Sequence, residues 1–381
     1  MSVLEWRTHN PSGLKRIIVT KELPGDRWLK IFDEVNFRVE VCTSTNILSI
    51  SEIKSAIGDQ CDGAIGQLTE KWGEDLFSVL AAAGGKAYSN YAVGYNNVDV
   101  AAANKHGVAV GNTPGVLTET TTEMTVTLTL AAARRVVEAD TFMRAGHYTG
   151  WLPSLFLGER LIRKTVGVVG AGRIGSAYAR TMVEGFKMDL IYHDLQQNIA
   201  LEDYIKAYSV FLESRGERPV SCKRASSVEE LLQASNVISL HPVLNETTRH
   251  LINVTRLNLM KPNAILINAS RGPVIDESAL VAHCQKHPEF RAGLDVFEDE
   301  PRMHHGLAEL NNVVIVPHIA SATSWTRQGM ATLAASNVAG ILRGYPAWQD
   351  YNITTFLESS PPNAAPSIVN AEAIGIPPYH N

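Results

Sequence analysis

A guanidinium, a carboxyl group and an imidazole each follow a short apolar run in the second half of the chain, at Arg271, Glu300 and His318. Such β-branched runs are typical of parallel strands covered on both faces. Ligands bind at the carboxyl ends of strands in open α/β sheets, so we expect the three side chains to meet at one edge. Each residue alone could be ordinary, as a core histidine, a surface glutamate or an arginine in a structural ion pair. Together they predict a site where a small anionic substrate undergoes proton transfer. The apolar runs are 264–268, 292–296 and 313–316.

A glycine-rich loop lies at residues 170–175, directly after the predicted strand at 165–169 and before a helical stretch. In this GxGxxG pattern Gly170 permits the tight turn, Gly172 lets the backbone approach a pyrophosphate, and Gly175 allows close packing of helix on strand. The amides at the start of the helix can bind phosphate oxygens. The loop therefore predicts a dinucleotide site. Its candidate cofactor-binding residues are Gly170, Gly172, Arg173, Ile174 and Gly175.

The acidic residue expected in a dinucleotide site is Asp194, which follows the predicted strand at 188–192. It lies about 20 residues beyond the glycine loop, where a carboxylate hydrogen-bonds the ribose hydroxyls of NAD. The same charge repels a 2′-phosphate, and the Leu-Gln-Gln at 195–197 offers no arginine to bind one. We therefore expect NAD(H) rather than NADP(H) as the cofactor. An exposed aspartate that simply ends a strand is the alternative.

Hydride transfer to or from a nicotinamide needs a matching proton transfer at the oxygen of the reacting carbon. His318 is the natural donor and acceptor, because an imidazole titrates near neutral pH. Glu300 would orient that ring and favour its charged form. Arg271 can bind a carboxylate through two hydrogen bonds while it polarises the adjacent ketone. The trio therefore predicts reduction of a 2-oxo acid, with a 2-hydroxy acid as the reverse substrate.

Composition restricts the class of protein. A chain of 381 residues is too long for one hydrophobic core, and 45% hydrophobic with 19% charged residues fits a globular enzyme. The net charge of -5 and the lack of a basic run argue against nucleic acid as a partner. The apolar stretch at 124–137 is too short and too polar to span a bilayer, so we expect no membrane partner. Reduced thiols, with neither disulfides nor a metal site, are expected for Cys42, Cys61, Cys222 and Cys284.

Alternating strand and helix patterns indicate an α/β fold with two Rossmann-like or flavodoxin-like domains, each with a parallel sheet, and a cleft between them. We expect a discontinuous substrate domain over 1–117 plus 320–381. An NAD-binding domain over 118–319 would be inserted between its two parts. The Pro-rich tail from residue 359 has too little regular pattern to fold alone and should lie along the first domain.

Two helices and one unusual segment complete the predicted organisation. A long helix should open at Thr118 and Glu119, where a cap and an acid suit the helix start, and run toward Gly146. Apolar residues at helical spacing predict another helix over 324–342. The charged segment at 198–227 is long for a connection and is expected to be mostly a solvated excursion, with an amphipathic helix over 201–212. A partner-binding surface is the alternative for that segment.

Four motifs together resemble the D-isomer-specific 2-hydroxyacid dehydrogenase family, and the likeness extends over nearly the whole chain. They are the glycine loop at 170–175, Asn-Ala-Ser-Arg-Gly-Pro at 268–273, Asp-Val-Phe-Glu-Asp-Glu-Pro at 295–301 and Pro-His-Ile-Ala-Ser at 317–321. The sequence is most similar to the plant-type NADH-dependent hydroxypyruvate reductases, or glycerate dehydrogenases, of photorespiration. That closer likeness rests on 238–244, the long segment before it and the tail motif at 361–370. It implies reduction of hydroxypyruvate to D-glycerate, and of glyoxylate to glycolate.

The resemblance implies roles that residue types alone do not select. The backbone at Val93 and Gly94 would bind the substrate carboxylate opposite Arg271, although the same residues also fit a plain turn before a helix. Trp151 matches a tryptophan that in related reductases reaches the active site of the neighbouring subunit, and a core or interface tryptophan is the alternative. A homodimer formed through the nucleotide domains is also implied, including the long helix before Gly146. Further implied cofactor contacts are Pro242, Ala269, Ser270, Asp295 and Ala320.

The expected compartment depends on the end of the chain. Plant members of the family typically end in the peroxisomal signal Ser-Lys-Leu, whereas this chain ends in Tyr379-His380-Asn381. The resemblance favours the peroxisome, with the cytoplasm and the mitochondrion as alternatives.

Three other functions stay open at this point. A dimeric NAD(H)-sensing scaffold, like the transcriptional corepressors of this fold, could keep all three polar residues. Phosphoglycerate dehydrogenase is an alternative among enzymes, although neither a regulatory domain nor a basic cluster for a phosphate is evident. Formate dehydrogenase is disfavoured, since that family has a glutamine where Glu300 stands and formate oxidation releases no proton to a base.

Overall fold

The computed structural model describes residues 5–350 and 352–380, and the chain divides into two compact units. Unit 1 comprises Met1–Leu117 with Ala322–Asn381, and unit 2 comprises Thr118–Ser321. Each unit is built on its own sheet, which confirms the predicted α/β class with two largely parallel sheets. The assignment of one unit to the substrate and the other to the cofactor stays a prediction.

Two sheets form the framework of the described residues. Along the chain their strands are β1 (Trp6–His9), β2 (Arg16–Val19), β3 (Arg38–Cys42), β4 (Gly63–Gly66), β5 (Ala87–Asn90), β6 (Ala109–Gly111), β7 (Thr165–Val169), β8 (Asp189–His193), β9 (Cys222–Arg224), β10 (Val237–Leu240), β11 (Ile265–Asn268), β12 (Arg291–Leu294) and β13 (Val313–Ile315). Unit 1 has the order β1-β3-β2-β4-β5-β6, parallel except for β1, which pairs antiparallel with β3 at the edge. Unit 2 has the fully parallel order β13-β12-β11-β10-β7-β8-β9.

Helices connect the strands in both units. In the described residues they are α1 (Arg27–Glu34), α2 (Ile50–Ile57), α3 (Glu74–Ala82), α4 (Val100–Lys105), α5 (Thr118–Ala133), α6 (Val136–Arg144), α7 (Arg173–Phe186), α8 (Ile199–Ser214), α9 (Val228–Ala234), α10 (Val254–Leu257), α11 (Glu277–Lys286) and α12 (Ser324–Leu342). Short 3₁₀ turns occupy Gly272–Val274, His305–Glu309, Thr354–Leu357 and Glu372–Ile374. The predicted helix over 324–342 is confirmed by α12.

The sheet of unit 2 is buried on both faces, which explains its continuous apolar strands. In β11, Leu266 belongs to one apolar cluster, whereas Ile265 and Ile267 belong to the other. Side chains alternate between the faces of a strand, so a run without polar residues means that both faces are covered. Helices α9 and α11 supply the first cluster, and α5 and α7 the second.

The prediction of one helix from Thr118 toward Gly146 is wrong, because the chain breaks between α5 and α6. Arg135 has φ 55°, in the left-handed region that ends a regular helix. The carbonyl oxygen of Ala133 accepts a hydrogen bond from the backbone N–H of Glu159 at 2.8 Å, so a later segment takes the place of the next helical turn. The guanidinium of Arg135 is held by the carboxylate of Glu138 at 2.6 Å.

The amphipathic helix expected over 201–212 is confirmed and is longer than expected, whereas the rest of the 198–227 segment is more regular than a solvated excursion. The segment contains the sixteen-residue helix α8 and the edge strand β9, which pairs with β8. Leu201 and Ile205 are buried in the same cluster as α7. The helix begins at Asn198, whose side chain accepts a hydrogen bond from the N–H of Leu201 at 2.9 Å. Its charged residues are therefore one face of an amphipathic helix.

The tail lies along unit 1, as predicted. Its residues up to 380 are described, and they cover the open edge of β6. Val369 donates from its backbone N–H to the carbonyl of Val110 at 2.8 Å. The buried side chain of Asn370 accepts from the N–H of Val110 at 2.8 Å and donates to the carbonyl of Val108 at 2.9 Å and to Asn104 Oδ1 at 2.8 Å. An edge strand with unpaired groups needs such a cover.

The cysteines are reduced, as the sequence predicts. The four cysteines are free thiols, and burial raises the pKa of Cys284 to about 12 and that of Cys61 to about 11, so neither is a ready nucleophile. Within the part of the chain that the structure describes, no helix is long and apolar enough to cross a bilayer.

We expect Asn370→Ala to lower the free energy of unfolding by roughly 2–3 kcal/mol, because three hydrogen bonds of about 1 kcal/mol each are lost. The buried N–H of Val110 is left without its acceptor in this variant. Urea denaturation followed by far-UV circular dichroism measures the change. Asn363→Ala, at an exposed asparagine of the same tail, is the control and should change stability by less than about 0.5 kcal/mol. Equal stability of the two variants would contradict this account of the tail.

Candidate active site

The three strands that precede Arg271, Glu300 and His318 are neighbours in the sheet of unit 2. Strand β11 pairs with β12, and β12 with β13, all in parallel register. Their carboxyl ends therefore lie side by side, and the three polar residues follow in the loops from that edge. The geometry brings the predicted trio together within a single unit.

His318 and Glu300 form a direct pair. Nδ1 of His318 lies 2.8 Å from Oε2 of Glu300. Both side chains are about three-quarters buried, with 26% and 23% of their surface exposed, so water screens the pair only partly. Oε1 of Glu300 accepts a second hydrogen bond from the backbone N–H of Phe297 at 3.0 Å. The carboxylate is therefore fixed at both oxygens.

The charge of Glu300 follows from its surroundings. Burial alone would raise the pKa of this carboxyl group. The hydrogen bond and charge of His318, the N–H of Phe297 and the charge of Arg271 outweigh burial, so the pKa lies below its usual range. A charged carboxylate only accepts hydrogen bonds, hence Nδ1 of His318 carries the hydrogen of their shared bond. Nε2 is then the nitrogen that can exchange a proton with a substrate.

Arg271 lies half-buried beside this pair. Burial lowers the pKa of its guanidinium, while the charge of Glu300 opposes that shift. Nη1 donates to the carbonyl of Ser270 at 2.7 Å. Asn268, the last residue of β11, donates from Nδ2 to the carbonyl of Arg271 at 2.9 Å and accepts from the N–H and hydroxyl of Ser270 at 3.1 and 2.8 Å. The asparagine therefore fixes the backbone from which the guanidinium projects.

The loop that carries Glu300 is clamped by carboxylates. Glu277 is 5% exposed and accepts from the backbone N–H of Glu298 at 2.6 Å and of His304 at 3.3 Å, on either side of Glu300. The carboxylate of Glu298 contacts Nε2 of His250 at 2.5 Å. These bonds hold the loop at both ends.

A glycine lets the first two loops meet. A Cβ on Gly272 would lie 1.9 Å from the carbonyl carbon and oxygen of Phe297, which no side chain could tolerate. The backbone after Arg271 therefore packs directly on the backbone that bonds to Glu300. This contact explains why glycine follows the arginine.

Asp295 organises the start of the third loop. It is fully buried, and its oxygens accept from the backbone N–H groups of Ile319 at 2.6 Å and Ala320 at 3.0 Å. Burial raises its pKa, and these hydrogen bonds oppose the shift. The carbonyl of Asp295 accepts from the N–H of His318 at 2.9 Å, and His318 itself has φ 53°. Asp295 and Ala320 are the residues implied as cofactor contacts. In the structure their hydrogen bond helps to fix the backbone that carries the imidazole of His318.

The glycine loop has the shape that a dinucleotide requires. Gly170 has φ 88°, and a Cβ there would lie 2.8 Å from the backbone of His241 and 2.9 Å from the nitrogen of Pro242. A Cβ on Gly175 would lie 2.0 Å from the carbonyl oxygen of Gly170. A Cβ on Gly172 would meet nothing within 4 Å, so protein packing does not require that glycine. The space above Gly172 fits an approaching pyrophosphate.

The helix after the loop can supply the phosphate ligands. Helix α7 begins with Arg173 and Ile174, and no side chain caps its N-terminus. Its first amides have no partner within the helix, and they favour an anion. Asp194 lies at the end of β8 and accepts from the N–H of Ala171 at 2.7 Å. The predicted acid and the predicted loop are thus in contact.

Val93 and Gly94 lie in unit 1, in a turn held by two asparagines. The carbonyl of Val93 accepts from Nδ2 of Asn112 at 2.8 Å, and that of Gly94 from Nδ2 of Asn90 at 3.0 Å. In a trans peptide the N–H points away from the carbonyl, so the N–H of Gly94 faces away from Asn112. Such N–H groups could bind a carboxylate, which stays a prediction for both residues.

Trp151 is 79% exposed in unit 2, which excludes the alternative of a core tryptophan. It lies in a long stretch rich in exposed apolar side chains, called the apolar strip below. The members of the apolar strip are Val136, Val137, Met143, Tyr148, Trp151, Leu152, Leu157 and Ile162.

Known proteins resemble this chain over most of its length. The model of the D-isomer specific 2-hydroxyacid dehydrogenase NAD binding domain matches residues 126–320. A glycerate dehydrogenase of Cucumis sativus is 64% identical over 370 residues, which cover 96% of this chain and 97% of that protein. The peroxisomal glycerate dehydrogenase HPR of Arabidopsis thaliana is 62% identical over 97% of both chains. The TT0316 protein of Thermus thermophilus has a solved structure with a TM-score of 0.77 at 35% identity, covering 93% of this chain and 99% of that one.

The chain belongs to the D-isomer-specific 2-hydroxyacid dehydrogenases. This membership confirms the resemblance read from the motifs, and the expected use of NAD, since the matched region is the NAD-binding domain of the family. Two features of the glycine loop fit NAD. The space above Gly172 is open, and no side chain caps the start of α7.

In this dehydrogenase several functional residues escaped the sequence argument. Asn268 and Glu277 hold the loops of the trio in unit 2, and Asn90 and Asn112 hold the turn at Val93 and Gly94 in unit 1. Two of them could have been found from the sequence, because Asn90 and Asn268 are polar residues at the ends of buried strands. The bonds of Glu277 reach residues more than twenty positions away, and no spacing rule reveals them.

We expect Glu300→Gln to lower kcat for 2-oxo acid reduction by roughly 10- to 100-fold, since the imidazole loses its orienting charge. The folded protein lowers the pKa of Glu300, so the pair and its stabilisation persist above the ordinary glutamate range and are lost as the pH falls through the lowered value. The wild-type reduction rate should therefore fall as the pH falls through that lowered value, whereas the variant has no carboxylate at this position and should lack this decline.

Profiles of kcat/KM against pH measure this effect, with NADH binding followed by fluorescence. Glu289→Gln, at an exposed glutamate of the same unit, is the control and should retain the wild-type profile. A Glu300→Gln profile that superimposes on the wild type would remove Glu300 from the proton-transfer pair.

Proposed function

We propose that this protein reduces hydroxypyruvate to D-glycerate with NADH, and glyoxylate to glycolate at the same site. The pairing of His318 with Glu300 beside the half-buried Arg271 carries the proposal, because it combines a proton donor with a carboxylate-binding cation. The choice of hydroxypyruvate is supported by the two relatives that are named glycerate dehydrogenases. Glyoxylate presents the same carboxylate and carbonyl to these side chains.

The proposed mechanism divides the work among the three side chains. Arg271 binds the substrate carboxylate and polarises the carbonyl beside it. When bound, NADH supplies the hydride that reaches the carbonyl carbon. Nε2 of His318 gives its proton to the carbonyl oxygen, so the carbonyl becomes an alcohol. Glu300 holds the ring through Nδ1 during this step and balances the imidazolium charge before it.

We expect His318→Gln to lower kcat for hydroxypyruvate reduction by about 10²- to 10⁴-fold, since the proton donor is lost. Arg271→Ala should raise KM and lower kcat together, because the same guanidinium binds and polarises. Assays of NADH oxidation measure turnover. Fluorescence titration should give a dissociation constant for NADH within about twofold of the wild-type value. His287→Gln, a histidine outside the site, is the control.

A substrate panel separates the remaining possibilities. Hydroxypyruvate, glyoxylate, pyruvate and phosphohydroxypyruvate are compared with NADH and with NADPH. The highest kcat/KM for phosphohydroxypyruvate would identify a phosphoglycerate dehydrogenase instead. No turnover of any of the four acids, with NADH still bound, would favour an NAD(H)-sensing scaffold.

We also propose that two copies of the chain associate through the apolar strip. Helix α6 buries none of its own residues, although Val137 and Met143 are apolar. A concentration of exposed apolar side chains in one stretch of chain is typical of an interaction site. A second copy is the partner that the family likeness supports, and Trp151 would then be covered by that copy. The peroxisome, named for the Arabidopsis relative, stays a prediction for the compartment.

The double variant Val137→Asp, Met143→Asp should weaken self-association by at least about 100-fold, because two charges would be buried in an apolar contact. Light scattering after size exclusion should give the mass of two chains for the wild type and of one for the variant. Val210→Asp, at an equally exposed valine of α8, is the control and should keep the wild-type mass. A wild type that is monomeric at micromolar concentration would contradict the proposal.

A further inference from the structure

The turn after β8 is braced by residues of the 198–227 segment that no cofactor motif contains. Asn198 donates from Nδ2 to the carbonyl oxygen of Ala171 in the glycine loop at 2.8 Å. Its backbone N–H donates to the hydroxyl of Tyr192 at 3.0 Å. Two side chains therefore connect this part of the chain to the glycine loop, the amide of Asn198 and the carboxylate of Asp194.

Arg224 places a guanidinium at this same turn. It ends β9, and the strand register sets it opposite Tyr192 of β8. Nη2 of Arg224 donates to the carbonyl oxygens of Asp194 and Leu195, both at 3.0 Å. The side chain is exposed, so solvent and solutes can reach it. A guanidinium has five N–H donors in a planar fork, and these two bonds use only those of Nη2.

The charges around the turn oppose one another. The carboxylate of Asp194 faces the glycine loop, and Glu202 lies close enough to sense the guanidinium. Hydrogen bonds from Tyr192 and Gln197, and in addition the charge of Arg224, lower the pKa of Glu202. Two carboxylates against one guanidinium leave the turn negative, which suits an unphosphorylated ribose.

We propose that Arg224 is a second determinant of cofactor selectivity: its guanidinium is the cation that the 2′-phosphate of NADPH meets at this turn, opposed by the carboxylate of Asp194. The inference rests on the proposed role of Asp194 as the ligand of the ribose hydroxyls. An arginine near that position is the group that accommodates a 2′-phosphate in dinucleotide folds. The opposing charges give NADH the advantage and leave a measurable use of NADPH that depends on Arg224.

Local sequence could not reveal this residue. Arg224 follows Asp194 by a whole helix and a strand, whereas residues 195–197 contain no arginine. The parallel pairing of β8 with β9 brings the two together. The neighbouring Lys223 points to the opposite face of the strand, where its ammonium pairs with the carboxylate of Glu230. Lys223 is therefore a matched control, a cation of the same strand directed away from the turn.

The experiment compares five proteins: wild type, Arg224→Gln, Asp194→Asn, the double variant and Lys223→Gln. Two measurements are made on the full chain: kcat/KM for NADH and NADPH with hydroxypyruvate, and displacement of bound NADH by 2′,5′-ADP against AMP, followed by NADH fluorescence. The second uses only the adenosine half of the cofactor, so it tests the phosphate contact even if hydroxypyruvate is not the substrate.

Arg224→Gln should weaken 2′,5′-ADP binding and NADPH use by about tenfold, with NADH use changed less than about twofold. Asp194→Asn should raise NADPH use by about tenfold or more, and the double variant should lose most of that gain. Lys223→Gln should behave as wild type. The proposal is overturned if the double variant keeps the gain of Asp194→Asn, or if Arg224→Gln lowers NADH and NADPH use equally. An unchanged Asp194→Asn variant would refute the role of Asp194 alone, because the effect of Arg224→Gln on 2′,5′-ADP is read separately.

Discussion

The hydrogen bond from His318 to the carboxylate of Glu300 requires two loops to keep one separation within a few tenths of an ångström. Adjacent parallel strands bring the loops to the same edge, but strand pairing alone does not fix the side chains. Buried carboxylates do so. Asp295 holds the backbone that follows His318, and Glu277 holds the backbone on both sides of Glu300. The pair is therefore oriented before a substrate arrives, which is how preorganised groups contribute to catalysis.

The same physical problem recurs wherever a loop of this protein leaves a sheet. Loop backbone lacks the ladder partners of a strand, and burying it without partners is costly. Asparagine solves the problem because its amide donates and accepts at once. Asn268 closes the turn before Arg271, and Asn90 with Asn112 holds the turn at Val93 and Gly94. These residues shape both candidate sites through hydrogen bonds to the backbone of the loops.

The difference between residues that form strands and residues that hold loops explains how much of the structure the sequence could predict. The strands that lead to the trio were predictable because full burial leaves a continuous apolar run, and the glycine loop because its close contacts allow no other residue at Gly170 and Gly175. The break at Arg135 was not predictable, because it depends on Glu159 capturing a helical carbonyl from a later segment. In segment 198–227 the helix was predictable from its apolar spacing, whereas the edge strand β9 was not, since Lys223 and Arg224 in it are exposed and charged. Sequence patterns miss the features that depend on contacts between residues distant in the chain.

The two charged sites of unit 2 differ in how strongly their charges act. The carboxylate of Glu300 is largely buried with its partners, so its attraction to the imidazole and to Arg271 is weakly screened. At the turn after β8 the guanidinium of Arg224 is exposed, and ions and water reduce its influence. Proton transfer therefore depends on charges that the fold fixes firmly. The choice between two nucleotides that differ by one phosphate depends on a smaller balance at the surface, which single substitutions and ionic strength can shift without disturbing the reaction.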